Sequence, residues 1–159
     1  MHGCVRFLLV GVVCSLFSAC ANLQVVPPEQ RSIQKVHEIN LTKNEIYDKS
    51  LEWMAQAFHD SKSVIELKDR ENGKIIGKGM TSFTNVVAEI PCRFTMVLET
   101  KDGKYRTSYN NFVGMWGEYR NLPRDVEEQG YMAEITQRVT AMDDSLYSYL
   151  KGAKKNENW

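Results

Sequence analysis

Apolar residues recur along this chain with two different periods, and residues that start or stop an element sit where one period gives way to the other. Over residues 33–41, Ile33, Lys35, His37 and Ile39 alternate with Gln34, Val36, Glu38 and Asn40, which predicts a strand whose faces are mixed in character. Thr42-Lys43-Asn44-Glu45 then has the T-x-x-E form of a capping box, with the Thr42 hydroxyl accepting from the Glu45 amide and the Glu45 carboxylate accepting from the Thr42 amide. Leu41 and Ile46 flank it as a hydrophobic staple. The helix so begun is predicted to run to about Phe58, with Tyr47, Leu51, Met54 and Phe58 on one stripe and Ile46, Trp53 and Ala57 beside it.

Beyond that helix the period falls to two, and the turns are legible. A strand over 63–67 leads to Glu71-Asn72-Gly73-Lys74, where Asn-Gly supplies the positive φ values of a tight hairpin. The return strand, 74–83, carries Gly77 and Gly79 on one face, which predicts a bulge or a close approach by another element. The run Gly73-Lys74-Ile75-Ile76-Gly77-Lys78-Gly79 imitates a phosphate loop, but its glycines lie within a strand and no helix follows, so that reading is set aside. In the next strand, 86–100, Ile90, Cys92, Phe94, Met96 and Leu98 form one face against Arg93, Thr95, Val97 and Glu99. Lys101-Asp102-Gly103-Lys104 makes a second hairpin turn, and Tyr105, Thr107 and Tyr109 alternate with Arg106, Ser108 and Asn110 after it. An irregular stretch is expected over 114–130. A last helix follows, with Met132, Ile135, Val139, Met142, Leu146 and Tyr149 at three- and four-residue spacing, acids Glu127 and Glu128 before it, and Lys151-Gly152 at its end.

The predicted order is β-α-β(4)-α, an α+β fold in which an antiparallel sheet has two helices packed on one face. Residues 33–113 resemble the domain-of-unknown-function family 4468, which has a TBP-like fold. The resemblance rests on Tyr47-Asp48-Lys49-Ser50-Leu51-Glu52-Trp53 in the first helix, on the glycine-bearing hairpin strand 73–79, and on Asp102-Gly103-Lys104-Tyr105-Arg106. It implies that fold and an exported bacterial protein; the family has no assigned activity and supplies no functional residues to carry over. The fold name suggests nucleic acid, yet the DNA saddle is built from two copies of the unit and one is present here.

The N-terminus changes the picture of where the domain works. Arg6 and the amino terminus form a positive n-region, and residues 7–17 form an apolar run shorter than the roughly 20 residues that span a bilayer. Leu16-Phe17-Ser18-Ala19-Cys20 resembles the lipobox of bacterial lipoprotein precursors. By that resemblance diacylglycerol is added to the Cys20 thiol, cleavage follows Ala19, and the new α-amino group is acylated, palmitate being a common chain. Ala21, in place of the Asp that resembles an inner-membrane retention signal, favours an outer-membrane anchor facing the periplasm. The expected parts are a signal peptide over 1–19, a lipidated tether over 20–31 containing Pro27-Pro28, one domain over 32–152 and a polar tail over 153–159. A chain of 159 residues, 43% hydrophobic and 25% charged, has room for one core. Loss of residues 1–19 removes Arg6 and no acid from a neutral chain, so the mature charge is near −1 and carries no footprint for nucleic acid.

Candidate chemistry is sparse. Cys4 and Cys14 leave with the signal and Cys20 becomes a thioether, so Cys92 remains as a free thiol, either a core residue or a reactive one. His37 and His59 stand in no metal-ligand spacing, and no cofactor is expected. His59-Asp60-Ser61 contains triad residue types, but adjacent side chains diverge and cannot form a relay. Asp143-Asp144 and Glu127-Glu128 read as solvated faces. Two surfaces remain. Lys74, Lys78, Arg93, Lys104 and Arg106 can gather on the wet sheet face as a basic platform, or be an ordinary solvated face. Phe112, Met115, Trp116 and Tyr119 in 110–119 can form a ligand-holding connection or fold back on the core. The candidate binding residues are therefore Lys78, Arg93, Arg106 and Trp116. Two functions stay open: a membrane-anchored envelope module that binds a protein, peptide or glycan, and a small periplasmic hydrolase or transferase with a site assembled from scattered residues.

Overall fold

Both predicted hairpins close on glycines with positive φ, Gly73 at 66° and Gly103 at 77°, and the strands they join build the centre of the molecule. The computed structural model describes residues 24–58 and 64–152. The signal peptide, Cys20, His59-Asp60-Ser61 and the 153–159 tail lie outside the described residues. In chain order the elements are β1 (Ile33–Glu38), α1 (Lys43–Ala57), β2 (Val64–Asp69), β3 (Lys74–Asn85), β4 (Ala88–Lys101), β5 (Lys104–Trp116), β6 (Leu122–Asp125) and α2 (Gln129–Gly152). The sheet runs β2-β3-β4-β5-β1, antiparallel throughout, with β6 also on β5. β1 pairs with residues 104–109 of β5 and β6 with residues 113–116, so the two short strands share one edge of β5 end to end.

The helices cover one face. From the sheet Ile75, Phe94, Met96, Leu98, Tyr105 and Tyr109 point inward, and they meet Ile46 and Met54 of α1 and Ile135, Val139, Leu146 and Leu150 of α2 in one buried core. Gly77 and Gly79 belong to this face, and the Phe94 ring lies where a Cβ on Gly79 would sit. This is the close approach that the glycine pair predicts. The capping box forms as expected: the Glu45 amide donates to Thr42 Oγ1 (3.3 Å) and the Thr42 amide to Glu45 Oε2 (2.7 Å). Asp102, from the β4–β5 turn, adds a second cap by accepting from the Lys43 amide at 2.7 Å.

Four features depart from the sequence reading. The irregular stretch is partly regular, because β5 continues to Trp116 and a sixth strand, β6, returns along it. A bulge makes this possible: Arg93 pairs with Val113 and Thr95 with Asn110, so Phe94 faces two residues, Asn111 and Phe112. Asn111 takes φ 54° and resets the alternation, which keeps Phe112 buried below Tyr109. The tether is bound from Gln24 onward. Val26 donates to Glu127 O, Gln129 donates to Gln24 O, and Arg31 reaches both Val26 O (2.7 Å) and Glu127 Oε1 (3.1 Å). In α1, Ser50 is buried and Ala57 exposed. In α2 the buried stripe runs Met132, Ile135, Val139, Asp143, Leu146, Leu150, with Met142 and Tyr149 only half-buried.

α2 also guards an edge. Among the described residues β2 pairs with β3 from Asp69 opposite Lys74 to Val64 opposite Lys78, and α2 reaches the later part of β3. There Glu134 accepts from the Thr84 amide at 2.8 Å, and Arg138 donates to Ser82 Oγ and Glu89 Oε1. The Thr84 amide, and then Arg138, hold the Glu134 carboxyl below its usual range. A charged side chain thus satisfies one backbone donor of β3, the Thr84 amide.

Candidate functional site

The face of the sheet away from the helices is open, and the alternation of β3, β4 and β5 delivers the predicted basic residues to it. Most of that charge is locally balanced. Lys78 Nζ meets Glu66 Oε1 at 2.6 Å, Arg106 Nη2 meets Glu99 Oε2 at 2.5 Å, and Lys74 stands between Asp69 and Glu99 in the register. Arg93 is different. It lies between Met80 and Val113 with no ion pair among the described residues, and Arg120 approaches from the turn after β5, also unpaired. Arg120 holds φ 54°, so the turn that presents it is left-handed at that residue. Together with Met80, Pro91 and Met115 the two arginines line a cleft of about 390 Å³ that combines cationic and apolar side chains.

Trp116 does not join this surface. It faces the helix side, with its ring 5.5 Å from Phe83 and 6.0 Å from Tyr131. Phe112 is buried as well, while Tyr119 stands 81% exposed. Of the residues expected to bind, Lys78, Arg93 and Arg106 therefore share a face, Trp116 is half-buried against the core on the other side, and Met115 and Arg120 enter the site. Arg120 was hidden because its turn reads only as an irregular connection.

On the helix side the structure corrects the reading of Asp143. It is 0% exposed and accepts three hydrogen bonds, from His37 Nε2 (2.5 Å), Thr107 Oγ1 (2.6 Å) and Tyr109 Oη (3.3 Å). The His37 imidazole is stacked against Tyr105 (5.0 Å) and Tyr147 (4.9 Å). Asp144, its neighbour, is exposed and lies 3.8 Å from Lys35 Nζ. Burial, and then the Asp143 charge, push the Tyr105 and Tyr109 hydroxyls well above the ordinary tyrosine value. An Asp–His pair is the beginning of a relay, but neither residue lines the cleft. The arrangement ties β1, β5 and α2 together by burying a carboxylate only where its lone pairs are met.

Burial pushes the Cys92 thiol up to about 12, so it is a core thiol and not a nucleophile. Among the described residues no three His, Cys, Asp or Glu side chains converge on a position for a metal ion.

Residues 34–114 match the family described as a domain of unknown function, DUF4468, with a TBP-like fold. The chain belongs to the DUF4468 family. Solved structures agree with the fold. A TBP-like protein from Parabacteroides distasonis superposes with a TM-score of 0.64 at 12% identity, over 76% of this chain and 92% of that one. A DUF4468 family protein from Bacteroides ovatus gives 0.60 at 12% identity, over 84% and 92%. No curated protein matches the chain in sequence. The DUF4468 match ends at Gly114, so Arg93 lies within it while Arg120 and Asp143 lie beyond it.

Proposed function

We propose that this DUF4468 protein is a lipid-anchored module of the bacterial cell envelope that binds a carboxylate-bearing segment of a partner protein on its open sheet face. The observation that carries the reading is the pair of unpaired guanidinium groups, Arg93 and Arg120, lining one cleft with Met80, Pro91 and Met115. Guanidinium groups engage carboxylates by two parallel hydrogen bonds, and thioether side chains adapt to varied apolar groups beside them. The anchor is Cys20 in Leu16-Phe17-Ser18-Ala19-Cys20, and the location that goes with it is the periplasmic side of the outer membrane. An enzyme built on His37 and Asp143 is the weaker reading, because both are packed between helix and sheet and away from the cleft.

Photo-crosslinking in cells tests the surface. A benzophenone amino acid at position 80, in the cleft, is expected to trap a partner of defined mass, and one at position 145, on the helix side, is not. Arg93→Glu with Arg120→Glu should abolish the adduct at position 80. Adducts indifferent to the charge reversal, or confined to the helix side, contradict the proposal.

A further inference from the structure

Of the seven large apolar side chains exposed among the described residues, Val36 on β1 and Leu67 on β2 stand apart, and the other five gather. Val86 (95% exposed) and Val87 (90% exposed) form the tip of the β3–β4 hairpin between Asn85 and Ala88. Tyr119 lies in the turn between β5 and β6, Leu122 opens β6, and Val25 is half-exposed on the bound N-terminal segment. These five residues share one end of the molecule. β5 pairs with β4 through Cys92 and Gly114, which brings its C-terminal turn beside the β3–β4 tip, and Val25, Asn85, Trp116 and Tyr131 line a single cavity there. The opposite end, roughly 40 Å away along the 14 residues of β4, carries Arg70, Glu71, Asn72, Lys101, Asp102 and Lys104.

The chain leaves the folded body at this same apolar end. Gln24 accepts from the Gln129 amide at the start of α2, and Tyr131 donates to Asn85, the residue before the tip. Only residues 21–23 separate Gln24 from Cys20, a reach of at most about 14 Å. A domain held by lipid on Cys20 therefore has this end, and not the charged one, against the bilayer.

We infer that the Val86-Val87 tip, with Tyr119 and Val25 beside it, rests in the interfacial layer of the membrane that anchors the protein. The inference builds on the lipoprotein reading of Cys20. The exposed valines offer apolar surface and Tyr119 an amphipathic ring to the headgroup boundary; Arg124, unpaired among the described residues, adds a cation there, against Glu118, Asp125 and Glu128, with Glu127 tied to Arg31. A short tether raises the effective concentration of the tip at the surface, so a contact too weak to recruit a free protein still orients an anchored one. Orientation in turn turns the open sheet face sideways to the membrane, where a partner in the same membrane can reach it.

The test supplies the anchor chemically, so that it does not depend on acylation in the cell. The described fold begins at Gln24, and the chain from Cys20 onward keeps all of it. Cys20 of that chain is coupled to a maleimide phospholipid in vesicles of phosphatidylethanolamine and phosphatidylglycerol carrying nitroxide lipids; buried Cys92 is spared. A polarity-sensitive fluorescent amino acid at position 87 is expected to shift to the blue and be quenched several-fold more than the same probe at position 104. Val86→Asp with Tyr119→Asp should return the probe to its aqueous spectrum without changing the circular dichroism. Equal quenching at both positions overturns the inference. So does a blue shift at position 87 before vesicles are added, which would assign the tip to a second copy of the chain. Intact mass of the protein extracted from cells decides separately whether Cys20 is acylated.

Discussion

Asp143 is the residue on which sequence and structure part. Its chemistry suggests solvent, yet its position suggests the core: it lies four residues after Val139 and three before Leu146, on the stripe that buries α2. The alternation of β1 likewise puts His37 on the same face as Ile33 and Ile39. Spacing was thus the available signal, and residue type masked it. With His37, Thr107 and Tyr109 all donating to it, Asp143→Ala is expected to cost about 3–5 kcal/mol of unfolding free energy in chemical denaturation. His37→Phe keeps a ring between Tyr105 and Tyr147 but removes a donor, so its cost should largely vanish in the Asp143→Ala background. Additive losses would contradict a shared network. The same burial fixes a pH dependence. Tyr105 and Tyr109 titrate above the ordinary value of 10.0 in the folded chain, so the native state holds protons that the unfolded state has released. Their contribution is complete below pH 10 and lost as pH rises beyond it. Alkaline titration should show these two phenolates appearing together with loss of circular dichroism, whereas ionisation in a still-folded protein would count against the buried placement.

At the level of elements, the parts whose signals are local were legible. The capping box starts α1 where Thr42 and Glu45 predict, and both glycine turns close their hairpins. β6 and the end of β5 were not, because their placement depends on one backbone residue. Continued alternation from Tyr109 would bury Asn111 and Val113 and expose Phe112; the left-handed φ of Asn111 reverses this. Asparagine tolerates that conformation and a β-branched residue does not. Asn111→Val is therefore expected to destabilise by about 1–2 kcal/mol, and Asn111→Gly to leave the thermal midpoint nearly unchanged. Equal midpoints for the two variants would mean that the bulge is not held by this residue. The tether was misjudged for a related reason: residues 24–31 have no periodicity, and their order comes from backbone hydrogen bonds to Glu127 and Gln129 and from the Arg31–Glu127 pair, contacts about a hundred residues apart in sequence.

For the whole molecule, fold and family followed from the order of elements and from segments in the first helix and hairpins, and the structural relatives agree with them. The site was only half legible. The basic residues of the open face could be placed by period, but which remained unpaired depended on Glu66 and Glu99 in neighbouring strands and on a turn that period does not describe. At this scale the domain has a charged end, an apolar end from which the N-terminal segment departs, a covered face and an open one, an arrangement suited to a protein held at one surface while binding at another. That account stands on Cys20. The most direct measurement is intact mass of the membrane-extracted protein, wild type beside Cys20→Ser, with separation of inner and outer membranes. The account predicts a wild-type chain that begins at Cys20, carries acyl mass and travels with the outer membrane, and a variant that carries none; two soluble, unacylated proteins would contradict it.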